Sequence, residues 1–325
     1  MSKILGEVDN EILPKEVEDH LHKAVRLEWI TIAAVLGIVV IVFLSMGNSQ
    51  AMKTAWIEDM LSFVPPIAFL IGVRMTRRPA TAGHPYGYHR AIGVSHMVAA
   101  SALCVMGGFL IFDCLKALIA AEHPTIGAMN LFGTPVWSGW IMIAAMVITA
   151  IPPVILGRLK LRLAPPLHNK VLYADADMNK ADWMTSVAAI VGIVGIGLGW
   201  WWADAAAALV IAFSIMKDGI TNLRAALAAL MDARPTTVDN ATVHPLLGKV
   251  NAYLRDVEWV SAGAARLRDE GQVFHVEGFV VPKQDEKATA ERLDAIREGL
   301  LTMDWKIRDV VVTAVNEVPS VLGEK

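Results

Sequence analysis

Six long apolar stretches lie between Val25 and Leu230, and they constrain the fold more than any other feature of the chain. Each is long enough for a helix to cross a hydrocarbon layer, which takes roughly 20 residues. Hydrophobic residues make up 55% of the chain and charged residues only 19%, which excludes a simple soluble enzyme. We predict six membrane-spanning helices, near residues 26–46, 54–76, 92–119, 134–157, 171–198 and 203–228.

The distribution of Lys and Arg predicts the orientation of these helices. The connections after the second and fourth spans are basic, whereas the opposite connections hold only Lys53. Basic connections stay on the cytoplasmic side, so we expect both termini to be cytoplasmic. The start of the chain does not have the shape of a signal peptide. The basic residues are Arg74, Arg77, Arg78 and Arg90, then Arg158, Lys160, Arg162 and Lys170.

These features predict a multi-pass integral membrane protein of the bacterial inner or plasma membrane type. We divide the chain into a cytoplasmic segment (1–25), a six-span domain (26–232) and a cytoplasmic domain (233–325). Residues 235–325 carry 15 acidic and 11 basic side chains. Their net charge of −4 excludes a basic nucleic-acid-binding surface, so the expected surroundings are the lipid bilayer and not nucleic acid.

The cytoplasmic domain has an alternating periodicity. It predicts the order α-β-β-α-β, with helices near 239–254 and 286–302 and strands near 257–267, 273–281 and 307–315. The fold class is therefore a mainly α membrane protein followed by a small α/β domain. One sheet covered on a single face, in fewer than 100 residues, would be stabilised by pairing with a second copy.

Polar residues inside the spans are the first candidates for function, because ionisable groups there are costly. Positions three, four or seven apart share one face of a helix. If the two faces meet, three or four oxygen ligands converge on a cation. The candidates are Glu58 and Ser62 on the second span, with Asp59 beside them, and Asp175, Met178 and Asp182 on the fifth.

Paired prolines strengthen this interpretation. Pro65–Pro66 cannot donate hydrogen bonds, which frees two carbonyl oxygens one turn earlier in the helix. Free carbonyls at membrane depth need a protein partner or a wet cavity. The alternative is that the prolines only bend the helix, with the carboxylates paired to Lys180 or capped by Asn179. Pro152–Pro153 repeats the pattern and predicts either a second wall of the cavity or a second bend.

Other polar residues give weaker signals. Glu28, near the inner end of the first span, is expected to reach the membrane interface. On the third span we expect His96 to pack and Asp113 to pair with Lys116. The glycines between 192 and 199 are expected to let helices approach closely. No nucleophile–base pair, phosphate-binding loop or cofactor motif is evident, so we do not expect an enzyme.

The order of the motifs resembles the cation diffusion facilitator family over residues 24–318. This resemblance implies a homodimer of six-span protomers, a ferredoxin-like, metallochaperone-like cytoplasmic domain, and antiport of a divalent metal against protons. The motifs are Arg77-Arg-Pro-Ala80, His84-Pro-Tyr-Gly-Tyr88, Ala174-Asp175 running to Asp182, Trp183-Met-Thr-Ser186, Trp202-Ala-Asp204-Ala and Leu230-Met-Asp232.

The resemblance also implies a metal site built from two residues four apart on each of two spans. These positions fall on Glu58 and Ser62 and on Met178 and Asp182, of which only Asp182 has the usual identity. Zinc prefers nitrogen and thiolate ligands, so a site without His favours Mn²⁺, Mg²⁺ or Fe²⁺. The expected substrate is thus Mn, Fe, Mg or Zn, with protons as the counter-ion and no prosthetic group.

The family also has a pair of His residues in the loop after the second span. His84 is present, but the second position is Tyr88, and His89 is the alternative ligand. The sequence leaves open whether these histidines hold a metal or only solvate the loop.

We hypothesise that Glu58 and Asp182 neutralise the ion, that Asp175 or Asp59 adds a third oxygen, and that the helices rock about Pro65–Pro66. Two other functions stay open. One is transport of Mg²⁺, Ca²⁺ or an organic cation by the same fold. The other is a metal sensor that does not transport and signals through its soluble domain.

Overall fold

A computed structural model describes residues 13–45, 56, 58–121, 127–131 and 134–322. Its first part is a helical bundle. The helices are α1 (Lys15–Ser45), α2 (Val64–Thr76), α3 (Ala91–Ile119), α4 (Ser138–Leu167), α5 (Lys170–Gly197) and α6 (Ala203–Leu230).

Five helices in the described ranges are long and apolar enough to cross a membrane: Lys15–Leu44, Glu58–Thr76, Ala91–Ile119, Ser138–Leu167 and Lys170–Gly197. The chain is therefore an integral membrane protein. Helix α6 is not among the five, although its 28 residues are long enough to span the bilayer. It packs along α3 and α5, and the predicted sixth crossing stays a prediction. The first helix starts at Lys15, well before the predicted boundary, and residues 46–55 and 57 lie outside the described ranges.

The second span is broken. Residues 58–61 are helical, Ser62 and Phe63 form a turn, and α2 then starts with Pro65 and Pro66 in its first turn. The N–H groups in the first turn of a helix have no acceptor within that helix, so proline, which lacks an N–H, is tolerated there. The predicted proline bend is thus an interruption of the helix, next to the candidate residues.

The fourth span differs from its prediction at both ends. Residues 134–137 form strand β2 (Thr134–Trp137), which pairs with β1 (Ala128–Leu131), because main-chain pairing in this hairpin holds them extended. Helix α4 then runs to Leu167 and continues through Pro152 and Pro153 without a break. Lys160, which we assigned to a basic connection, therefore lies inside a helix.

Small residues allow the helices to pack closely. A Cβ atom at Gly107 of α3 would lie 2.9 Å from the Met216 main-chain nitrogen of α6, and one at Gly219 would lie 2.9 Å from that of Cys104. On α5, a Cβ at Gly192 would overlap the side chain of Asp204. The expected close approach at the glycines of the fifth span is thus observed against the start of α6.

The C-terminal part has the predicted order α-β-β-α-β. Strands β3 and β4 are antiparallel, β4 and β5 are parallel, and the order across the sheet is β3-β4-β5. Leu254, Phe274 and Leu300 are buried between the helices and the sheet. The elements are α7 (Leu246–Asp256), β3 (Val260–Asp269), β4 (Phe274–Pro282), α8 (Ala290–Leu301) and β5 (Ile307–Ala314), followed by a short 3₁₀ helix at Ser320–Leu322.

The first helix of this domain begins at Leu246 and not near residue 239 as predicted. Asn240 has a φ of +59° and lies in a turn closed by the Thr237 N–H donating to the Thr242 carbonyl at 2.9 Å. A left-handed residue is incompatible with a helix. The chain therefore turns before the helix starts at Pro245, its N-cap.

Ion pairs join the C-terminal domain to one end of the helical bundle. Lys170, at the start of α5, places Nζ 2.9 Å from Asp269 Oδ2 at the end of β3. Asp232 accepts a hydrogen bond from Arg90 at 2.5 Å, and its Oδ1 lies 3.1 Å from Arg268 Nε. We call this the tail end of the bundle.

Candidate functional site

A cavity of about 120 Å³ lies inside the helical bundle, and carboxylates dominate its polar lining. It is bordered by α1, the helical turn before α2, α3, α4, α5 and α6. Its carboxyl groups come from four different segments: Glu58, Asp59, Asp113, Asp182 and Asp204.

The helix break positions one side of this cavity. Glu58 and Asp59 lie on the helical turn before the break, and the Glu58 side chain is buried. Ser62 lies in the turn itself, where its N–H donates to the Glu58 carbonyl at 3.3 Å. The prolines of α2 fix the point at which the helix restarts and thereby fix these acidic residues.

Asp182 connects the second span to the fifth. Ser62 Oγ donates to Asp182 Oδ1 at 2.7 Å, although the two residues are 120 positions apart. One turn further along α5, the hydroxyls of Thr185 and Ser186 donate to the Asp182 carbonyl at 2.9 and 3.0 Å. Their protons are thus used within the helix, and the oxygens that line the cavity keep lone pairs for a cation.

Helix α4 forms another wall. Met146 and Thr149 line the cavity one turn before Pro152–Pro153. The sequence left open whether this proline pair marks a cavity wall or a bend, and the structure places its preceding turn at the cavity.

Of the six candidates from the sequence, Glu58, Asp59 and Asp182 line the cavity. Ser62 lies behind the lining and contacts it through Asp182. The other two candidates lie elsewhere. Met178 is fully buried in an apolar cluster with Leu103, Met106 and Ile215. Asp175 is buried and accepts from Lys160 Nζ at 2.6 Å. Neither residue lines the cavity, because the inward face of α5 meets different neighbours at successive turns.

The sequence offered the alternative that the carboxylates are paired with Lys180 or capped by Asn179. For Asp175 this alternative holds in part, because the carboxylate is paired but with a different lysine. Asn179 Nδ2 donates to the Asp175 carbonyl at 2.8 Å, as the capping alternative suggested, but the cation is Lys160. Lys180 instead pairs with Asp218 at 2.8 Å. Asp182, the residue with the family's identity, pairs with neither lysine in the described structure.

Glu28 also differs from expectation. It is fully buried, with Oε2 3.1 Å from Lys160 Nζ, and it does not reach the interface. The physical reason is that α1 begins at Lys15, so Glu28 lies several turns inside the helix.

The sequence argument did not assign two of the cavity carboxylates to the site. Asp113 was expected to pair with Lys116, and Asp204 was noted only as part of a family motif. The signal for Asp204 was the run of glycines on α5, because Gly192 leaves the space that the Asp204 carboxylate fills.

Among the described residues, no group of three or more His, Cys, Asp or Glu side chains is placed to hold one metal ion. Carboxylates spread around a cavity can still attract a cation and bind it with hydroxyl oxygens and water, as Mg²⁺ and similar hard ions prefer. The arrangement is therefore suited to a cation that keeps part of its hydration shell.

The two histidines of the loop after α2 have different surroundings. His84 Nδ1 lies 3.1 Å from the Tyr88 hydroxyl, and the two rings stack. Burial, together with the charge of Arg308, lowers the pKa of His89. His89 therefore loses its proton at a lower pH than an exposed histidine does.

The comparisons with known proteins agree on a class of transporter. The family model described as the cation efflux transmembrane domain matches residues 27–231. Over 274 residues the chain is 24% identical to the manganese efflux system protein MneS of Bacillus subtilis (strain 168), covering 82% of this chain and 86% of that protein.

Shorter matches include two further named proteins. Manganese efflux system protein MneP of the same organism is 24% identical over 193 residues, which covers 57% of this chain and 61% of MneP. Magnetosome protein MamB of Paramagnetospirillum magneticum (strain ATCC 700264 / AMB-1) is 22% identical over 167 residues, 51% of this chain and 52% of MamB. The family match includes every residue of the cavity lining, from Val42 to Ala208.

Proposed function

The chain belongs to the cation efflux, or cation diffusion facilitator, family of membrane transporters, and we propose that it exports Mn²⁺ in exchange for protons through the cavity beside Asp182. The observation that carries this proposal is the hydrogen bond of 2.7 Å between Ser62 and Asp182. This hydrogen bond joins the second and fifth spans at Asp182, the metal-site position where this chain has the amino acid that is usual in the family.

The ligand chemistry supports manganese. Glu58, Asp59 and Asp182 present carboxylate oxygens to one cavity, and oxygen ligands favour hard ions over zinc. Two relatives are named as manganese efflux proteins. We propose that Glu58 and Asp182 neutralise the ion, and that Ser62 and water complete its coordination.

Proton exchange needs no additional machinery. A carboxylate that binds a divalent ion must be deprotonated, so ion binding and proton binding compete at the same oxygens. We propose that protons from the side away from the tail replace the ion on Asp182 and Glu58. Asp113 and Asp204 line the same cavity and keep it attractive to cations along the exit path.

The tail end of the bundle would then face the cytoplasm, in agreement with the basic connections. We also propose that α6 crosses the membrane as the sixth span and that the protein works as a homodimer, as the family resemblance implies. Cross-linking of full-length protein in membranes measures the dimer, and a cysteine label at each connection measures the orientation.

The test of the transport proposal is Asp182→Asn in liposomes with a proton-sensitive dye. We expect Mn²⁺-driven proton movement in the wild type and at least a tenfold loss in the variant, because the neutral amide cannot exchange a proton for an ion. The matched control is Asp177→Asn, which removes a carboxylate from the same helix. Asp177 contacts a different partner, because Asn222 Nδ2 donates to it at 2.9 Å. Unchanged antiport by Asp182→Asn would overturn the site, and a wild type that does not move Mn²⁺ would overturn the substrate.

A further inference from the structure

A fully buried lysine joins three helices at a second acidic position in the bundle. Lys160 of α4 places Nζ 2.6 Å from Asp175 Oδ2 of α5 and 3.1 Å from Glu28 Oε2 of α1. The exposed fractions of the three side chains are 0%, 1% and 0%. The Lys160 ammonium therefore lies between two carboxylates of different helices, where a metal cation would also bind.

The cluster has one positive charge for two formal negative charges. In the part of the chain that the structure describes, neither carboxylate oxygen of Glu28 accepts a hydrogen bond. Oε2 has the ion-pair contact with Lys160, no hydrogen-bond donor reaches Oε1, and the Glu28 carboxyl group also lies against that of Asp175. Buried polar atoms are normally satisfied, so this carboxylate has unused capacity for a cation.

The position of the cluster relates it to the cavity. Asp175 precedes Asp182 by seven residues, so the two share one face of α5 about 10 Å apart. Asp175 is nearer to Lys170, where the tail packs against the bundle. The cluster therefore lies between the tail end and the cavity that contains Asp182.

We propose that Glu28 and Asp175 form an inner binding site for a divalent cation, and that the Lys160 ammonium occupies this site in the described conformation. A cation that arrives from the tail end displaces the ammonium, binds the two carboxylates with water, and moves on to Asp182. While Lys160 is in place, the inner route is closed. The inference rests on the proposed transport function.

The first test counts bound ions and does not depend on transport. Lys160→Met keeps the length of the side chain and removes its charge, leaving two carboxylates for the metal. Equilibrium dialysis of the full chain in detergent against a low concentration of Mn²⁺ should show one more bound ion per chain than in the wild type, in which the ion must first displace the ammonium. The additional ion should disappear in Lys160→Met/Glu28→Gln. An equal number of ions in the wild type and Lys160→Met would overturn the inner site.

Lys160→Met leaves two buried carboxylates without their cation, which can prevent folding. A second variant therefore tests the inner site with Lys160 in place. Glu28→Gln keeps the pair between Lys160 and Asp175 and removes one proposed ligand. In liposomes with Mn²⁺ supplied at the tail side, we expect its KM to rise at least fivefold. The matched control is Glu16→Gln, an exposed position on the same helix. An unchanged KM in Glu28→Gln would contradict the inner site while leaving the assignment of Asp182 intact.

Discussion

Ser62 joins the second and fifth spans through its hydroxyl group. It donates to Asp182 at 2.7 Å from the turn that interrupts the second span. A hydrogen bond to a charged group contributes roughly 1.5–3 kcal/mol. The neutral, small Ser62 thus orients the carboxylate without adding a charge that competes with the ion.

Ser62→Ala should weaken transport without abolishing it. Loss of the hydroxyl leaves Asp182 without its donor and removes one proposed oxygen ligand, so we expect the KM for Mn²⁺ to rise roughly tenfold, equivalent to about 1.4 kcal/mol. Ser62→Thr retains the hydroxyl and serves as the control. Equal KM values for Ala and Thr variants would show that this hydroxyl has no role in binding.

Gly192 is a second residue whose effect is local and steric. A Cβ at this position would overlap the Asp204 side chain. Gly192→Ala should therefore displace the Asp204 carboxylate from the cavity and separate α5 from α6. We expect a lower midpoint of thermal unfolding and slower Mn²⁺ transport. Gly37→Ala is the control, because nothing lies within 4 Å of a Cβ at that exposed position on α1.

At the scale of elements, strands β4 and β5 are joined by a titratable pair. His275 Nδ1 lies 2.9 Å from Asp309 Oδ2. The hydrogen bond to Asp309 raises the pKa of His275, and the same bond lowers the pKa of Asp309. The raised histidine contributes stability that is fully present below its unfolded pKa of about 6.5 and is lost as pH rises through its folded pKa.

Asp309→Asn should therefore lower the thermal stability of the C-terminal domain near pH 6 and have little effect near pH 9. Because the Asp309 side chain is 49% exposed, we expect about 1 kcal/mol or less. The measurement is thermal unfolding of the full chain in detergent at the two pH values. Asp294→Asn, on the exposed side of α8, is the control. An effect of the same size at both pH values would show that the pair does not titrate as described.

At the scale of the whole molecule, one buried ion pair holds the tail against the bundle. Lys170 and Asp269 are each 5% exposed and 2.9 Å apart. Burial alone would raise the pKa of Asp269, but the neighbouring His168 and the charge and hydrogen bond of Lys170 hold it below its usual range. The pair is thus fully formed above about pH 4 and weakens as pH falls further.

Asp269→Asn removes the charge that balances buried Lys170, and breaking such a pair costs about 3–5 kcal/mol. We expect the tail to separate more often from the bundle, which exposes the segment between Asp232 and Leu246 to protease. Cleavage there should accelerate at least tenfold at neutral pH in full-length protein. Asp256→Asn, an exposed change on the same domain, should leave the cleavage rate unaltered. No acceleration would mean that other contacts hold the domains together.

Periodicity along single elements was readable from the chain. The five apolar helices, the order of helices and strands along the tail and the shared face of Glu58 and Ser62 follow from spacing of 3.6 or 2 residues, which is a property of the backbone. The identity of Asp182 and the motifs around it indicated the family. A bend near Pro65–Pro66 followed from the missing N–H of proline, and the structure shows an interruption at Ser62 and Phe63 in its place.

The tertiary structure decided which faces meet. Spacing placed Asp175 and Asp182 on one face of α5, but only packing shows that Asp175 meets Lys160 whereas Asp182 meets Ser62. The true extent of α4 changed Lys160 from a loop residue into a buried one. The chain by itself fixes the direction of a side chain around its own helix. The neighbour that this side chain meets depends on where each helix starts and crosses the others, which is set by contacts between residues far apart in sequence.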